Sequence, residues 1–231
     1  MGNTKTIKIA LYSDLHQNLP PAVDCDLAII AGDICGGGGP LSQYVYLEEK
    51  FRPWLMQFPK AAWIAGNHDW VCQESGSLIP FYGDNHVYLR DNYWEPFKGL
   101  KVWGCPWSLP FCNWAFAADE EVLDHKLSPL KTIKPQILVS HGPPYSMGDK
   151  CPDGFRAGSC ALLKAIRDYQ PALVVVGHIH SGKGVYECYN SCVVNAAVVD
   201  EQQRVVKGPV MVQLSGDNWQ SVEVLDYDYR D

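Results

Sequence analysis

Residues 171–184 read PALVVVGHIHSGKG. The apolar run from Ala172 to Val176 stops at Gly177, and His178 and His180 follow with one residue between them. A short continuous apolar run with Pro before it and Gly after it reads as a strand buried on both faces. Side chains at i and i+2 leave an extended chain on the same side, so both imidazoles point one way. A single histidine at a strand end is most often a half-exposed polar residue with one hydrogen bond. The pair therefore takes its meaning from what the rest of the chain brings to it.

Four other segments have the same shape. They are TIKIALYSD (Thr6 to Asp14), DLAIIAGD (Asp26 to Asp33), AAWIAGNHD (Ala61 to Asp69) and QILVSHG (Gln136 to Gly142). Each runs from buried-type residues into Asp, Asn or His, usually beside Gly. Between them lie helical patterns. Leu41, Tyr44, Val45, Leu47, Phe51, Trp54, Leu55 and Phe58 repeat at three and four, predicting an amphipathic helix over 41–58 with a kink near Arg52, because Pro53 lies inside it. A second helix is expected over 159–169 with Ser159 as N-cap and Ala161, Leu162, Ala165, Ile166 and Tyr169 as its buried stripe, and a shorter, more polar one over 119–127. Residues 86–107 and the C-terminal segments GVYECYNSCVVNAA, PVMVQL and SVEVLDYD read as antiparallel strands, with turns at Lys98-Gly99 and around Tyr189 to Ser191. The mixture predicts one domain over residues 1–231, a four-layer α/β sandwich of two facing mixed sheets flanked by helices.

The composition is that of an ordinary globular chain. It has 231 residues, 47% apolar and 19% charged, with a net charge of -7 and a pI near 5.4. An acidic surface repels long polyphosphate backbones, which argues against extended nucleic-acid partners but not against a small phosphate compound. The nine cysteines include no CxxC pair, and no secretory signal opens the chain, so reduced thiols and a cytoplasmic setting are expected. No apolar run approaches the roughly 20 residues of a membrane helix. MGNTKT fits a loose myristoylation pattern, read here as chance because a strand follows almost at once.

Collected together, the strand ends carry Asp14 and His16 (SDLH), Asp33 (AGDI), Asn67, His68 and Asp69 (AGNHDW), His141 (SHGPP), and His178 and His180 (GHIH). Five of the seven histidines lie at these tips. Any one motif alone is a common turn; their conjunction is not. In α/β sheets the C-terminal strand ends converge on one crevice. Hard oxygen and imidazole donors without thiolate suit Mn²⁺, Fe²⁺, Zn²⁺, Co²⁺ or Ni²⁺. There are too many donors for one four-coordinate ion, whereas two ions about 3.5–4 Å apart sharing a carboxylate would use them all.

The order D-x-H, GD, GNH[DE], H, GHxH resembles the signature of the calcineurin-like metallophosphoesterases, complete here from Asp14 to His180. The resemblance implies one metal held by Asp14, His16, Asp33 and His180, and a second held by Asp33, Asn67, His141 and His178, with Mn²⁺ favoured. It implies that His68 is the catalytic histidine at the leaving-group oxygen, with Asp69 supporting it. It further implies in-line attack on a small phosphoester by a hydroxide generated between the ions. GDICGGGG lacks the acidic-basic pair that phosphoprotein phosphatases carry after GD, while SHGPPYSMGD, GSCALLKAI and GHIHSGKG…VVNAA look like the small metallophosphoesterase-domain (MPPED-like) phosphodiesterases. Asn195 matches an Asn of that group and is set down, with Arg156, as a substrate contact. Lys150 and Lys183 are further candidates for a phosphate, and Trp70, Trp107, Phe111 and Trp114 for stacking. The alternatives are an inactive scaffold of this fold or a nuclease of it; retention of every ligand type and of His68 argues against the first, and low basic content against the second.

Overall fold

The structure is a computed structural model that describes residues 5–74, 79 and 82–226. The MGNT opening of the lipidation pattern and Tyr227-Asp228 of the last expected strand lie outside the described residues. In chain order the elements begin with β1 (Thr6–Tyr12), β2 (Leu27–Ala31), α1 (Pro40–Tyr46), a π-helical turn (Leu47–Phe51), α2 (Arg52–Leu55), β3 (Ala61–Ile64), α3 (Trp70–Glu74) and β4 (His86–Tyr88). They continue with β5 (Asn92–Phe97), β6 (Leu100–Cys105), α4 (Glu120–Leu127), α5 (Leu130–Ile133), β7 (Ile137–Ser140), α6 (Cys160–Tyr169) and β8 (Leu173–Val176). A 3₁₀ turn (His180–Gly182), β9 (Gly184–Cys188), β10 (Ser191–Asn195), β11 (Val210–Ser215) and β12 (Ser221–Asp226) complete the chain.

Two six-stranded sheets form, in the orders β12-β11-β1-β2-β3-β4 and β5-β6-β7-β8-β10-β9. In the first, β1–β4 are parallel, β11 runs antiparallel to β1 and β12 antiparallel to β11; in the second, β6, β7, β8 and β10 are parallel with β5 and β9 antiparallel at the edges, so both sheets are mixed. The period-two alternation of the strands builds the layers. Ile9, Leu11, Leu27 and Ile29 of the first sheet meet Val102, Val139, Val175 and Val194 of the second in one buried cluster. On the other face of the first sheet, Tyr12, Ile30 and Trp63 pack under Leu47, Phe51, Trp54 and Leu55. On the outer face of the second, Leu138, Val174 and Val193 pack under Leu123, Leu127, Leu162 and Ile166. The result is the expected α-β-β-α sandwich. The strands β2, β3, β7 and β8, read from their unbroken apolar runs, are buried at every residue.

Three local expectations change. The helix over 41–58 is real, but its first turns are out of phase with the apolar stripe: Leu41, Tyr44 and Val45 are exposed, and Gln43 is buried. The Gln43 amide donates to the carbonyls of Gly36 and His68, and its oxygen accepts the Val71 amide. Three hydrogen bonds to buried backbone outweigh the burial of one exposed-side apolar residue. The kink or break expected near Arg52 becomes a π-helical turn, in which the Arg52 amide reaches back to the Leu47 carbonyl. This i to i−5 bond comes immediately before Pro53, which has no amide hydrogen to donate. Finally, β4 is not antiparallel; it extends the first sheet parallel to β3.

The hairpin β5–β6 turns at Gly99 with φ +81°, and Pro96 sits beside a register shift on what is the edge strand of its sheet. Ser159 caps α6 by accepting the Leu162 amide, and Asp119 caps α4 through Val122. All nine cysteines are free thiols. Among the described residues no helix is long and apolar enough to cross a membrane.

Candidate metal centre

The loops that leave β1, β2, β3, β7 and β8 at their C-terminal ends converge. Their sharp turns put Asp14, His16, Asp33 and His178 into the left-handed region, with φ of 55°, 43°, 53° and 69°. Non-glycine residues held there are strained and cluster at functional sites. The glycines beside them leave room for close approach. A Cβ on Gly66 would collide with Asp33, and one on Gly177 with Ser13 and Asp14.

Asp33 lies at the centre and is almost wholly buried. Its Oδ2 is 3.6 Å from His16 Nε2 and 3.9 Å from His68 Nε2, while its Oδ1 is 3.5 Å from His141 Nε2. To one side, His180 Nε2 lies 3.5 Å from Asp14 Oδ1 and 3.3 Å from His16 Nε2. To the other, His141 Nε2 lies 2.8 Å from Asn67 Oδ1. Three overlapping groups have donor atoms all within 4.8 Å of one another: Asp14, His16 and His180; His16, Asp33 and His68; Asp14, Asp33 and His141. His178 belongs to none of them; its ring centroid lies 5.1 Å from that of His141, and its backbone amide donates to both Asp14 oxygens at 3.0 and 3.1 Å.

The orientation of the imidazoles is set from behind. His141 Nδ1 is 2.8 Å from the Ala31 carbonyl, and His180 Nδ1 is 3.0 Å from the Asp200 carbonyl. A carbonyl oxygen only accepts, so Nδ1 carries the proton and Nε2 is turned into the cluster, as metal-ligating imidazoles require. Burial raises both carboxyls, but the His180 hydrogen bond and charge at Asp14, and His141 with His16 at Asp33, hold both below the usual carboxylate range. Burial lowers His141 and His180, yet Asp33 lifts the one and Asp14 the other to about 9. His16 is lowered, chiefly by burial. His68 and His178 are lowered to about 4, by burial first; Asp33 partly offsets it at His68, and His141 adds to it at His178. The buried His16 Nδ1 has no protein partner among the described residues. Converging carboxylate, amide and imidazole donors, with the Nε2 atoms of His16 and His180 3.3 Å apart, fit divalent cations.

Two expected site residues lie in a different arrangement. Asp69 does not face His68: its buried carboxylate accepts the amides of Gly66, Ile34 and Cys35 at 2.7, 3.2 and 2.7 Å. It clamps the Asp33 loop to the Asn67 loop, and Asp33 rather than Asp69 lies beside the His68 ring. Burial and the neighbouring Asp33 raise it to about 6. Asn195, expected at the substrate, lies behind the cluster. It is fully buried, its Nδ2 donates to the carbonyls of Gly148, Ile179 and, at 3.4 Å, Gly177, and its Oδ1 accepts the Ala197 amide. It bridges the two carbonyls that flank the strained His178.

The remaining candidates separate by environment. Lys183 Nζ donates to the Ala197 carbonyl and is a backbone tie. Trp70 and Trp107 pack against the cores. Arg156 pairs with buried Asp149 at 2.7 Å and stands on the wall of a cavity of about 540 Å³. That cavity opens from His178 and His180 and is walled by Leu109, Pro110, Phe111 and Phe155. A larger concavity, about 670 Å³, lies at Lys131, Gln136 and Trp219, away from every candidate ligand. Gln43, Asp200 and the contact of Trp114 with His68 escaped the sequence reading; the only trace of any of them was a glutamine inside an apolar helical repeat.

A family model described as calcineurin-like phosphoesterase matches residues 7–182, and the chain belongs to that family. It is similar to the human protein Metallophosphoesterase domain-containing protein 1, at 30% identity over 90% of this chain and 71% of that one. Two solved structures share the fold. TT1561 of Thermus thermophilus has a TM-score of 0.61 at 19% identity, covering 84% of this chain and 90% of that one. GAP50 of Plasmodium has a TM-score of 0.56 at 13% identity, covering 97% and 90%.

Proposed function

We propose that the protein is a metal-dependent phosphodiesterase with a dinuclear centre, in which Asp14, His16, Asp33 and His180 would hold one cation and Asp33, Asn67, His141 and His178 a second. The observation that carries this reading is that the two Asp33 oxygens face different donor groups, with His16 on one side and His141 on the other. When bound, the cations supply positive charge to phosphate oxygens and a water deprotonated near neutral pH. Oxygen and imidazole donors without thiolate suit Mn²⁺, and also Fe²⁺, Zn²⁺, Co²⁺ or Ni²⁺.

The chain's own groups do the rest. Attack on phosphorus forms one P–O bond and breaks the ester P–O bond in line with it. His68, at the edge of the cluster with 17% of its side chain exposed, gives its proton to the departing oxygen. Burial holds His68 at about 4 in the metal-free protein; a bound diester anion and Asp33 favour the protonated imidazole and the cations oppose it, so the proton is taken up together with the substrate. The apolar cavity past His178 and His180 supports a diester over a monoester. Its walls are Phe111, Phe155, Leu109 and Pro110, its acidic groups are Asp153 and Glu201, and its one guanidinium is already paired with Asp149. That surface suits a second ester substituent better than a second phosphate. Arg156 keeps free donors for a polar atom on that substituent. Nine unpaired thiols suit a reducing compartment such as the cytoplasm.

The test is hydrolysis of bis-p-nitrophenyl phosphate and p-nitrophenyl phosphate after chelation and readdition of Mn²⁺. Restored turnover, faster on the diester, is expected. A folded protein that turns over neither ester with any divalent ion is a scaffold, and the reading fails.

A further inference from the structure

Trp114 lies with its ring centroid 3.9 Å from that of His68, the planes at 54°. The same imidazole also meets the His16 ring, with centroids 4.6 Å apart and planes at 87°. The His68 backbone is fixed as well: its amide donates to Asp33 Oδ1 at 2.8 Å, and its carbonyl accepts from Gln43 Nε2 at 2.8 Å. The freedom left to this residue is therefore rotation of the ring, and its two ring contacts limit that rotation. Trp114 is itself held on a pinned loop. The Ala115 amide donates to the Asn67 carbonyl at 3.1 Å, and the Phe116 amide donates to Gln73 Oε1. Ser108 pairs with Ala117 across the base of the loop, and fully buried Phe116 packs edge-on against Trp107 at 5.3 Å. The residues on either side of this contact, Asn67-His68 and Trp114-Ala115, are thus joined through backbone as well as through rings.

We propose that Trp114 is a positioning residue: its indole fixes the His68 imidazole in the orientation that presents Nε2 to the leaving-group oxygen. The proposal rests on His68 having the role given above. An imidazole free to swing out of line loses proton transfer without loss of metal or of substrate binding, because misplacing a reacting group by about 1 Å costs up to about 100-fold. The indole contributes shape and a π-face, so phenylalanine in its place keeps part of the contact.

Two readouts test this separately. In chelator-treated protein, the His68 ring C–H signals in a ¹H–¹³C spectrum, assigned by their loss in His68→Asn, are expected to be shifted upfield by the indole. In Trp114→Ala they move downfield and broaden, and in Trp114→Phe they move less. Signals unchanged by Trp114→Ala overturn the proposal. In metal-loaded protein, kcat is compared for methyl p-nitrophenyl phosphate, whose leaving group departs without a proton, and methyl phenyl phosphate, whose more basic oxygen needs one. Trp114→Ala is expected to slow the second about tenfold with little change in the first or in either KM, Trp114→Phe to restore most of the loss, and Trp114→Ala to have no further effect in the His68→Asn background. Equal losses on both esters, or an additive loss in that background, overturn the proposal, because Trp114 then acts on the substrate or the fold. If the ring signals respond as expected but His68→Asn itself slows both esters equally, Trp114 still positions the imidazole, and it is the acid role of His68 that falls.

Discussion

Asp33 holds His68 twice: its Oδ1 accepts the His68 backbone amide at 2.8 Å, and its Oδ2 lies 3.9 Å from the imidazole Nε2. The same two oxygens face His141 and His16. One buried carboxylate therefore sits among both donor groups and sets the backbone position of the residue proposed to move the proton. Asp33→Asn keeps the shape and removes the charge. It is expected to lower activity at least about 100-fold and to reduce bound metal below two ions per chain by elemental analysis. Two tightly held ions in this variant would remove Asp33 from the bridge.

Asp69 is fully buried and accepts three backbone amides. An asparagine can turn only one oxygen to them and brings two donors of its own. Asp69→Asn is therefore expected to cost about 2 kcal/mol of unfolding free energy in denaturant titration and to weaken metal binding. The turnover that remains should show the same ratio between good and poor leaving groups as the parent. A changed ratio would put Asp69 in the proton pathway after all.

In the protein stripped of metal, His141 and His180 titrate at about 9, against an ordinary 6.5. Between those values the folded state holds protons that the unfolded state has released. Stability from these two groups is thus fully present below about pH 6.5 and is lost as pH rises through 9. A cation must displace the same protons, so metal uptake at pH 7.5 should release about two of them, and affinity should rise with pH across this window. Calorimetry in buffers of different ionisation enthalpy measures the release. Uptake without proton release would show that neither imidazole is a ligand.

Phe111 and Phe155 stand about two-thirds exposed, at 65% and 66%, on the wall of the cavity next to His178 and His180. If the second ester substituent lies there, Phe155→Ala and Phe111→Ala should raise KM for bis-p-nitrophenyl phosphate about three- to tenfold. KM for methyl p-nitrophenyl phosphate, which places only a methyl group in that cavity, should change far less. Equal changes for both esters would mean that the cavity does not receive this substituent.

Much of this site was legible because of where buried strands must end. An apolar run such as Leu173–Val176 can be read as a strand from composition alone, and its first polar residue then marks the sheet edge. That places Asp14, Asp33, Asn67, His141 and His178 at one end of two sheets without coordinates. The helix over 41–58 was legible for the complementary reason, a 3.6-residue repeat, but the phase of α1 was not. It depends on Gln43 reaching Gly36, His68 and Val71, partners 7 to 28 residues away in the chain.

What the sequence determined by itself is the order of the central strands and the longer helices, the two-faced burial of those strands, and the set of ligand-type side chains at their tips. These follow from the period of hydrophobicity, which is local. The tertiary structure alone decided that Asp69 clamps two loops, that Asn195 is a backbone staple behind His178, that Trp114 lies on His68, and which donors fall within reach of one another. Those outcomes depend on side-chain direction and on distances of a few ångströms between segments up to 164 residues apart, as for His16 and His180. Hydrophobic periodicity carries no information about either.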